Sequence, residues 1–223
     1  LTTINCFLNA TSTTEIYTLT LHDALPISGL MIRIRPWLGT LSTDQARGLA
    51  DLAARFGSGG IELTNRANLQ LRGLTRADYD AALPQLETLG LARVDHTPSG
   101  RVNLSIEPLR LPGSPTQAIA EALSDALSAK DFAPLPQKFG FVVDTGPARV
   151  MTDIVGDIRI EGSGANLLVR PTGQDRGALA QDLGDAVDLA LNLARWFITS
   201  GAIGADGRGR MAEAMAQGLP LPE

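Results

Sequence analysis

The sequence predicts an α+β fold that opens with the element order β-α-β-β-α. Two kinds of periodicity indicate it. In residues 30–36 and 64–73, apolar and polar residues alternate at period two, which is typical of half-buried strands. In residues 42–56 and 75–90, apolar residues recur every three to four positions, which is typical of helices packed on one side.

Local signals support each of these elements. Ser42 and Gln45 have the spacing of a capping box at the first helix, and Gly57 suits the C′ position after it. Residues 61–64 and 69–74 predict two extended segments. The second helix contains Pro84, which costs about 3 kcal/mol in a helix interior. Together these elements form the beginning of a ferredoxin-like split βαβ unit.

One face of the predicted sheet collects cations and amides. Alternate side chains of a strand point to opposite faces. We therefore expect six aliphatic side chains to point into a core: Ile32, Ile34, Ile61, Leu63, Leu69 and Leu71. The opposite face then carries seven polar side chains: Arg33, Arg35, Thr64, Arg66, Asn68, Gln70 and Arg72. Such donors suit a large, flat ligand with many carboxylates, although alternating charges also occur on plain solvated sheets.

A second α/β domain is expected over residues 99–223, after a half-domain at 29–98 and a turn-rich joint at 96–101. Ser114, Pro115 and Gln117 predict the capped start of a helix. Strands are predicted at 102–106, 139–144, 157–161 and 166–170. A long helix is predicted over 176–200, with Leu179 and Leu183 at the start of its buried stripe and Gly201 at its end. A C-terminal truncation is expected, because the chain stops without a clear terminal element.

Residues 1–28 differ in character from the rest. They hold no Lys or Arg, and they contain the single cysteine, Cys6. Residues 14–28 resemble the conceptual translation of a sequencing-library adapter. We interpret 1–28 as a non-native, disordered segment and exclude it from the fold.

Composition narrows the classes of function. Setting aside Glu15 and Asp23 leaves 22 acidic and 19 basic residues, a net charge of −3, which argues against general nucleic-acid binding. No apolar run approaches the roughly 18 residues of a membrane span. A soluble cytoplasmic protein is the default expectation.

Three segments resemble a known family. The segment at 60–74, GIELTNRANLQLRGL, is similar to the signature of the siroheme nitrite and sulfite reductase superfamily, Thr-x-Arg followed by Gln four residues after the Arg. Here Thr64, Arg66 and Gln70 fill that pattern. Segments 135–146 and 194–211 resemble the precorrin-3B synthase branch of the superfamily. The resemblance covers residues 29 to about 211.

The resemblance implies an oxygen-dependent monooxygenase of aerobic cobalamin biosynthesis that converts precorrin-3A to precorrin-3B. It also implies a 4Fe–4S cluster, a second iron centre or siroheme, and an electron donor as partner. By carry-over, Arg66 and Lys138 are the first candidate site residues. Asn68, Gln70 and Arg72 come second, with Thr64, Arg33 and Arg35 beside them.

Departures from the pattern keep two alternatives open. Reductases carry a second lysine where this chain has Gly140, which favours the precorrin branch. A 4Fe–4S cluster needs about four thiolates, and residues 29–223 contain no cysteine, so the cluster ligands are not in this chain and no metal ligand is assigned. The alternatives are a fragment of a siroheme nitrite or sulfite reductase and a non-catalytic tetrapyrrole-binding or assembly module of the same fold.

Overall fold

The computed structural model describes residues 29–64, 68–92 and 103–222, and the backbone of two short parallel strands, β1 (Phe7–Leu8) and β2 (Thr18–Leu19). The chain divides into two compact units, Leu1–Thr97 and Pro98–Glu223. The turn-rich joint predicted at 96–101 lies outside the described residues.

The first unit contains a three-stranded antiparallel sheet and two helices. Its sheet order is β3-β5-β4, with strands β3 (Leu30–Ile34), β4 (Ile61–Leu63) and β5 (Leu69–Leu74). Helix α1 (Thr43–Phe56) follows β3 after a short 3-10 turn, and α2 (Arg76–Thr88) follows β5. The predicted order β-α-β-β-α is present.

Both helices begin with the reciprocal hydrogen bonds of a capping box. At α1 the Gln45 N–H donates to the Ser42 hydroxyl, and the Ser42 N–H donates to the Gln45 side chain. Thr75 and Asp78 form the same pair at α2, which also accommodates Pro84. Each box satisfies backbone donors that the first helical turn leaves without partners.

The end of α1 differs from the prediction. Gly57 does not adopt the left-handed conformation of a C′ glycine, since its φ is −138° and its backbone is extended. Its lack of a side chain matters for another reason: a Cβ there would lie 2.8 Å from the carbonyl oxygen of Arg72. Gly57 therefore permits close approach of the chain to β5.

The core of the first unit holds four of the six aliphatic side chains predicted for it. Ile32, Ile34 and Leu71 are fully buried, and Leu69 packs against them. Ile61 and Leu63 are 38 % and 75 % exposed, so their prediction as core residues was wrong. Their register opposite Leu71 and Leu69 is that of core-facing positions. They lie, however, on the edge strand β4, whereas the helices pack on β3 and β5.

The second unit contains a five-stranded mixed sheet in the order β10-β9-β8-β7-β6. Its strands are β6 (Asn103–Ile106), β7 (Gly140–Asp144), β8 (Ile158–Ser163), β9 (Asn166–Pro171) and β10 (Ala178–Ala180). Strands β6, β7 and β8 are parallel, while β9 and β10 run antiparallel to their neighbours. Its helices are α3 (Pro115–Ala126), α4 (Leu183–Thr199) and the short α5 (Met211–Ala216).

The start of α3 departs from the predicted capping box in one bond. The Ser114 hydroxyl accepts from the Gln117 N–H as expected. The Gln117 side chain accepts from Gly113 N–H instead of Ser114 N–H. The Ser114 N–H is already used, because it donates to the carbonyl of Leu111 in the preceding turn.

Helix α4 begins seven residues later than the sequence predicts. Residues 178–180, predicted as helix, form β10, and the helix starts after Asp182, whose side chain accepts from Asp185 N–H at 2.8 Å. Leu179 and Leu183 are 60 % and 39 % exposed, so their place in the buried stripe was wrong. Further along the helix, Val187, Ala190, Ala194 and Phe197 are buried.

Three phenylalanines lie at the centre of the second core. Phe139 contacts Phe141 edge to face, with ring centroids 5.8 Å apart, and contacts Phe197 of α4 at 4.7 Å. All three rings are fully buried. In the described part of the chain, no helix is both long and apolar enough to cross a membrane.

Candidate functional site

The predicted polar face exists on the sheet of the first unit. In the register, Arg33 lies opposite Gln70 of β5, and Gln70 lies opposite Glu62 of β4. Residues paired across neighbouring strands point to the same face, so these three side chains form one row across the sheet. Ile32 and Leu71 form the adjacent row on the opposite, helix-covered face.

Hydrogen bonds order the side chains of this face. Arg72 donates from Nε to Glu62 Oε2 at 2.6 Å and from Nη2 to Gln70 Oε1 at 2.8 Å. Arg35 donates from Nε to Asn68 Oδ1 at 3.2 Å. Asn68 and Gln70 are each only 4 % exposed, so two buried amide oxygens orient two guanidinium groups. This arrangement supplies rigid, planar hydrogen-bond donors.

Thr64 and Asn68 close the segment between β4 and β5. The Asn68 N–H donates to the Thr64 hydroxyl at 3.1 Å, and the Thr64 N–H donates to the Asn68 carbonyl at 2.9 Å. Arg66, the first candidate, lies between them in residues 65–67, outside the described part of the chain. Its site role therefore stays a prediction.

Lys138, the second candidate, belongs to the other unit. It lies exposed in a turn before β7, where the Phe139 N–H donates to the Pro136 carbonyl. The expected convergence of Arg66 and Lys138 on one ligand also stays a prediction. Gly140, two residues on, packs closely against β6: a Cβ there would lie 3.0 Å from the Asn103 carbonyl oxygen.

The second unit contains a buried charge cluster that the sequence analysis missed. Glu161 accepts from Arg159 Nε at 2.7 Å, from Arg170 Nε at 2.8 Å and from Arg149 Nη1 at 3.2 Å. Burial alone would raise the pKa of Glu161. The hydrogen bonds and charges of Arg170 and Arg159 outweigh burial and lower this pKa to about 2. The alternation of Arg159 and Glu161 in an apolar strand was the available signal.

This cluster holds the loop between β7 and β8 against the sheet through hydrogen bonds. Arg159 also donates to the carbonyls of Met151 and Ile154. Asp144, at the end of β7, accepts from the N–H groups of Val150 and Met151, both at 2.8 Å. The geometry is that of an internal structural network, because the charged groups are directed at the protein's own backbone.

A second buried carboxylate, Asp157, joins the amino ends of the parallel strands to α5. Its Oδ2 accepts from Gly140 N–H at 2.9 Å, while its Oδ1 accepts from Arg210 Nε and Met211 N–H, both at 2.9 Å. Asp157 is 1 % exposed. This contact anchors the end of the segment at 194–211 that resembles the precorrin-3B synthase branch.

Comparisons with known proteins support the superfamily that the motif resembles. Residues 27–89 match the nitrite/sulfite reductase ferredoxin-like half domain. The solved structure of Mycobacterium tuberculosis NirA protein shares the fold, with a TM-score of 0.57 and 18 % identity over 85 % of this chain and 38 % of that one. The chain is therefore similar to proteins of the nitrite and sulfite reductase superfamily, as its sequence motif indicated, and the named relatives are oxidoreductases.

Curated relatives come from two branches of the superfamily. A precorrin-3B synthase from Sinorhizobium sp is 34 % identical over 141 residues, 60 % of this chain and 29 % of the relative. A ferredoxin–nitrite reductase from Synechococcus elongatus is 33 % identical over 133 residues, 52 % of this chain and 25 % of the relative. The chain thus spans less than a third of the length of the curated relatives it matches.

The residues of this chain fit a tetrapyrrole but not a 4Fe–4S cluster. Membership of this superfamily would imply a tetrapyrrole and a 4Fe–4S cluster. The arginines and amides of the polar face fit the carboxylates of a tetrapyrrole. A cluster with about four thiolates does not fit a chain whose single cysteine is Cys6. Within the described residues, no group of three His, Cys, Asp or Glu side chains could hold a metal ion.

Proposed function

We propose that this chain is the tetrapyrrole-binding part of a precorrin-3B synthase-like monooxygenase of aerobic cobalamin biosynthesis, which converts precorrin-3A to precorrin-3B. The supporting observation is the row of oriented guanidinium and amide groups on one face of the first unit's sheet. A precorrin is a flat macrocycle with eight carboxylate arms. Such a polyanion requires several fixed cations, because an unpaired charge is costly to remove from water.

The proposal divides the chemistry between the protein and an iron centre. The hydroxylation requires oxygen chemistry that amino-acid side chains do not provide and that an iron centre would supply. The residues of this chain would bind and orient the macrocycle. Arg66, Arg35, Arg33 and Arg72 would engage its carboxylates, and Lys138 would add a further positive charge. Asn68, Gln70 and Thr64 would hold the arginines and the loop that carries Arg66.

A porphyrin titration tests the binding role of Arg66. We expect the chain to quench the fluorescence of uroporphyrin, a porphyrin with eight carboxylates. Arg66→Ala should weaken this binding by about 1.5–3 kcal/mol, the range for hydrogen bonds to charged groups. Arg47→Ala is the matched control, because Arg47 is an exposed arginine on α1 paired only loosely with Asp44 at 3.9 Å. Equal affinities of the Arg66 and Arg47 variants would contradict the role.

A siroheme-dependent nitrite or sulfite reductase is the second candidate, favoured by the 33 % identity to a ferredoxin–nitrite reductase. Gly140 argues against it, since the reductase pattern has lysine there and a Cβ at this position would crowd Asn103. The two activities separate in the longer natural protein. A siroheme absorption spectrum with nitrite reduction would support the reductase, and conversion of precorrin-3A in the presence of oxygen would support the synthase.

A further inference from the structure

Glu62 contributes a carboxylate to a sheet face whose other charged side chains in register are arginines. It lies on β4 opposite Gln70, in the same row as Arg33. Its Oε2 accepts from Arg72 Nε at 2.6 Å, and the two side chains are 56 % and 45 % exposed. A carboxylate at this place is unexpected on a surface suited to an acidic ligand, because it offsets one of the positive charges.

The contacts of Arg72 divide into a protected one and an exchangeable one. Its Nη2 donates to the oxygen of Gln70, a side chain that is 4 % exposed. Its Nε donates to Glu62, which faces solvent. A guanidinium has five N–H groups, so Gln70 and Glu62 together engage only two of them. Gln70 can therefore keep the guanidinium in place while the carboxylate partner changes.

We propose that Glu62 occupies on Arg72 the place of a ligand carboxylate and that a tetrapyrrole carboxylate displaces it. This inference rests on the proposed tetrapyrrole-binding function. Half-exposed ion pairs are weak and screened by salt, so exchange of one carboxylate for another is energetically accessible. Glu62 thereby lowers the affinity for acidic macrocycles, which favours release of the bound molecule. It is a specificity-determining residue and not a catalytic one.

Charge removal at position 62 tests the proposal. In this chain, Glu62→Gln keeps an oxygen that accepts from Arg72 but removes the competing charge. We expect uroporphyrin to bind this variant about two- to fivefold more tightly, the size of one exposed ion-pair interaction. Asp51→Asn is the control, since Asp51 is an exposed carboxylate on α1 of the same unit. It should leave the affinity unchanged.

A double-mutant cycle tests whether Glu62→Gln changes the uroporphyrin affinity through its contact with Arg72. In an Arg72→Gln background, Glu62→Gln should change the affinity much less than it does beside Arg72. An unchanged or weaker affinity of Glu62→Gln, or an equal gain in both backgrounds, would overturn the displacement model while leaving the proposed function intact. Failure of the wild-type chain to bind uroporphyrin at all would overturn both. Circular dichroism of each variant confirms that the comparison is between folded proteins.

Discussion

Single charged residues act in two different ways in this protein. On the polar face of the first unit, the amide oxygens of Asn68 and Gln70 accept from Arg35 and Arg72, and the Arg72 side chain is 45 % exposed. In the second unit, Glu161 is 1 % exposed and receives three arginines, two of which also bond to backbone carbonyls. The Arg72 guanidinium is thus reachable from solvent, whereas the arginines around Glu161 stabilise a loop.

The lowered pKa of Glu161 predicts how the stability of the second unit depends on pH. The carboxyl has an ordinary value of 4.5 and a folded value of about 2. Its contribution is therefore complete above about pH 4.5 and is lost as the pH falls toward 2. Glu161→Gln should lower the free energy of unfolding by about 3 kcal/mol at pH 7, because it leaves the buried Arg159 and its neighbour Arg170 without a counter-charge. Urea unfolding at a series of pH values measures this.

The pH series also supplies the control. Asp175 is an exposed carboxylate in the same unit, so Asp175→Asn should follow the wild-type curve at every pH. The difference between wild type and Glu161→Gln should shrink as the pH falls from 4.5 toward 2. A difference that stays constant over that interval would show that Glu161 acts through packing and not through charge.

The turn between β9 and β10 determines the residue at which α4 can begin. Gly177 lies against β9, and a Cβ there would collide with the carbonyl oxygen of Val169 and approach Arg170. The chain therefore passes close to β9 and pairs with it over residues 178–180 before Asp182 caps the helix. The apolar spacing typical of a helix extends back to residue 176. Residues 178–180 nevertheless pair with β9 and form a strand instead of helix.

Gly177→Ala should thus destabilise the second unit. Because the obstructing atom belongs to the backbone, relief requires movement of β10, and overpacking of this kind costs about 1–3 kcal/mol. Thermal unfolding followed by circular dichroism provides the measurement. Gly184→Ala, in the first turn of α4, is a suitable comparison, since its new Cβ would meet only a side-chain oxygen of Asp182 at 3.3 Å. Equal stability of the two variants would contradict the close-approach explanation.

At the scale of the whole molecule, two separate hydrophobic cores stabilise the chain. One consists of residues of the first unit, including Ile32, and the other of residues of the second unit, including Ile160. Both isoleucines are fully buried and lie in the strands β3 and β8. Each core is therefore expected to govern the opening of its own unit.

Matched substitutions test this independence. Ile32→Val and Ile160→Val delete the same methyl group from the two cores, at a cost of about 0.5–1.5 kcal/mol each. In native-state hydrogen exchange, each variant should lower protection mainly in its own unit, residues 29–92 or 103–222. A uniform loss of protection across both units from either substitution would indicate a single cooperative structure.

Much of the fold follows from local patterns. The capping box at Ser42 and the alternation in residues 30–34 and 69–74 depend on residues a few positions apart, so the sequence determines them directly. The motif at Thr64, Arg66 and Gln70 likewise resembled the superfamily signature, and it lies within residues 27–89, which match the half-domain. Local patterns also predicted that arginines and amides share one sheet face.

Only the tertiary structure determines which of the residues in these patterns lie in the core and which lie in a candidate site. Ile61 and Leu63 have core-facing register but are exposed, because coverage depends on where the helices pack and not on alternation. Glu62 and Glu161 acquire their importance from partners on neighbouring strands, ten and nine residues away. Period-two patterning specifies the face of a strand, whereas strand pairing and helix packing specify what that face meets.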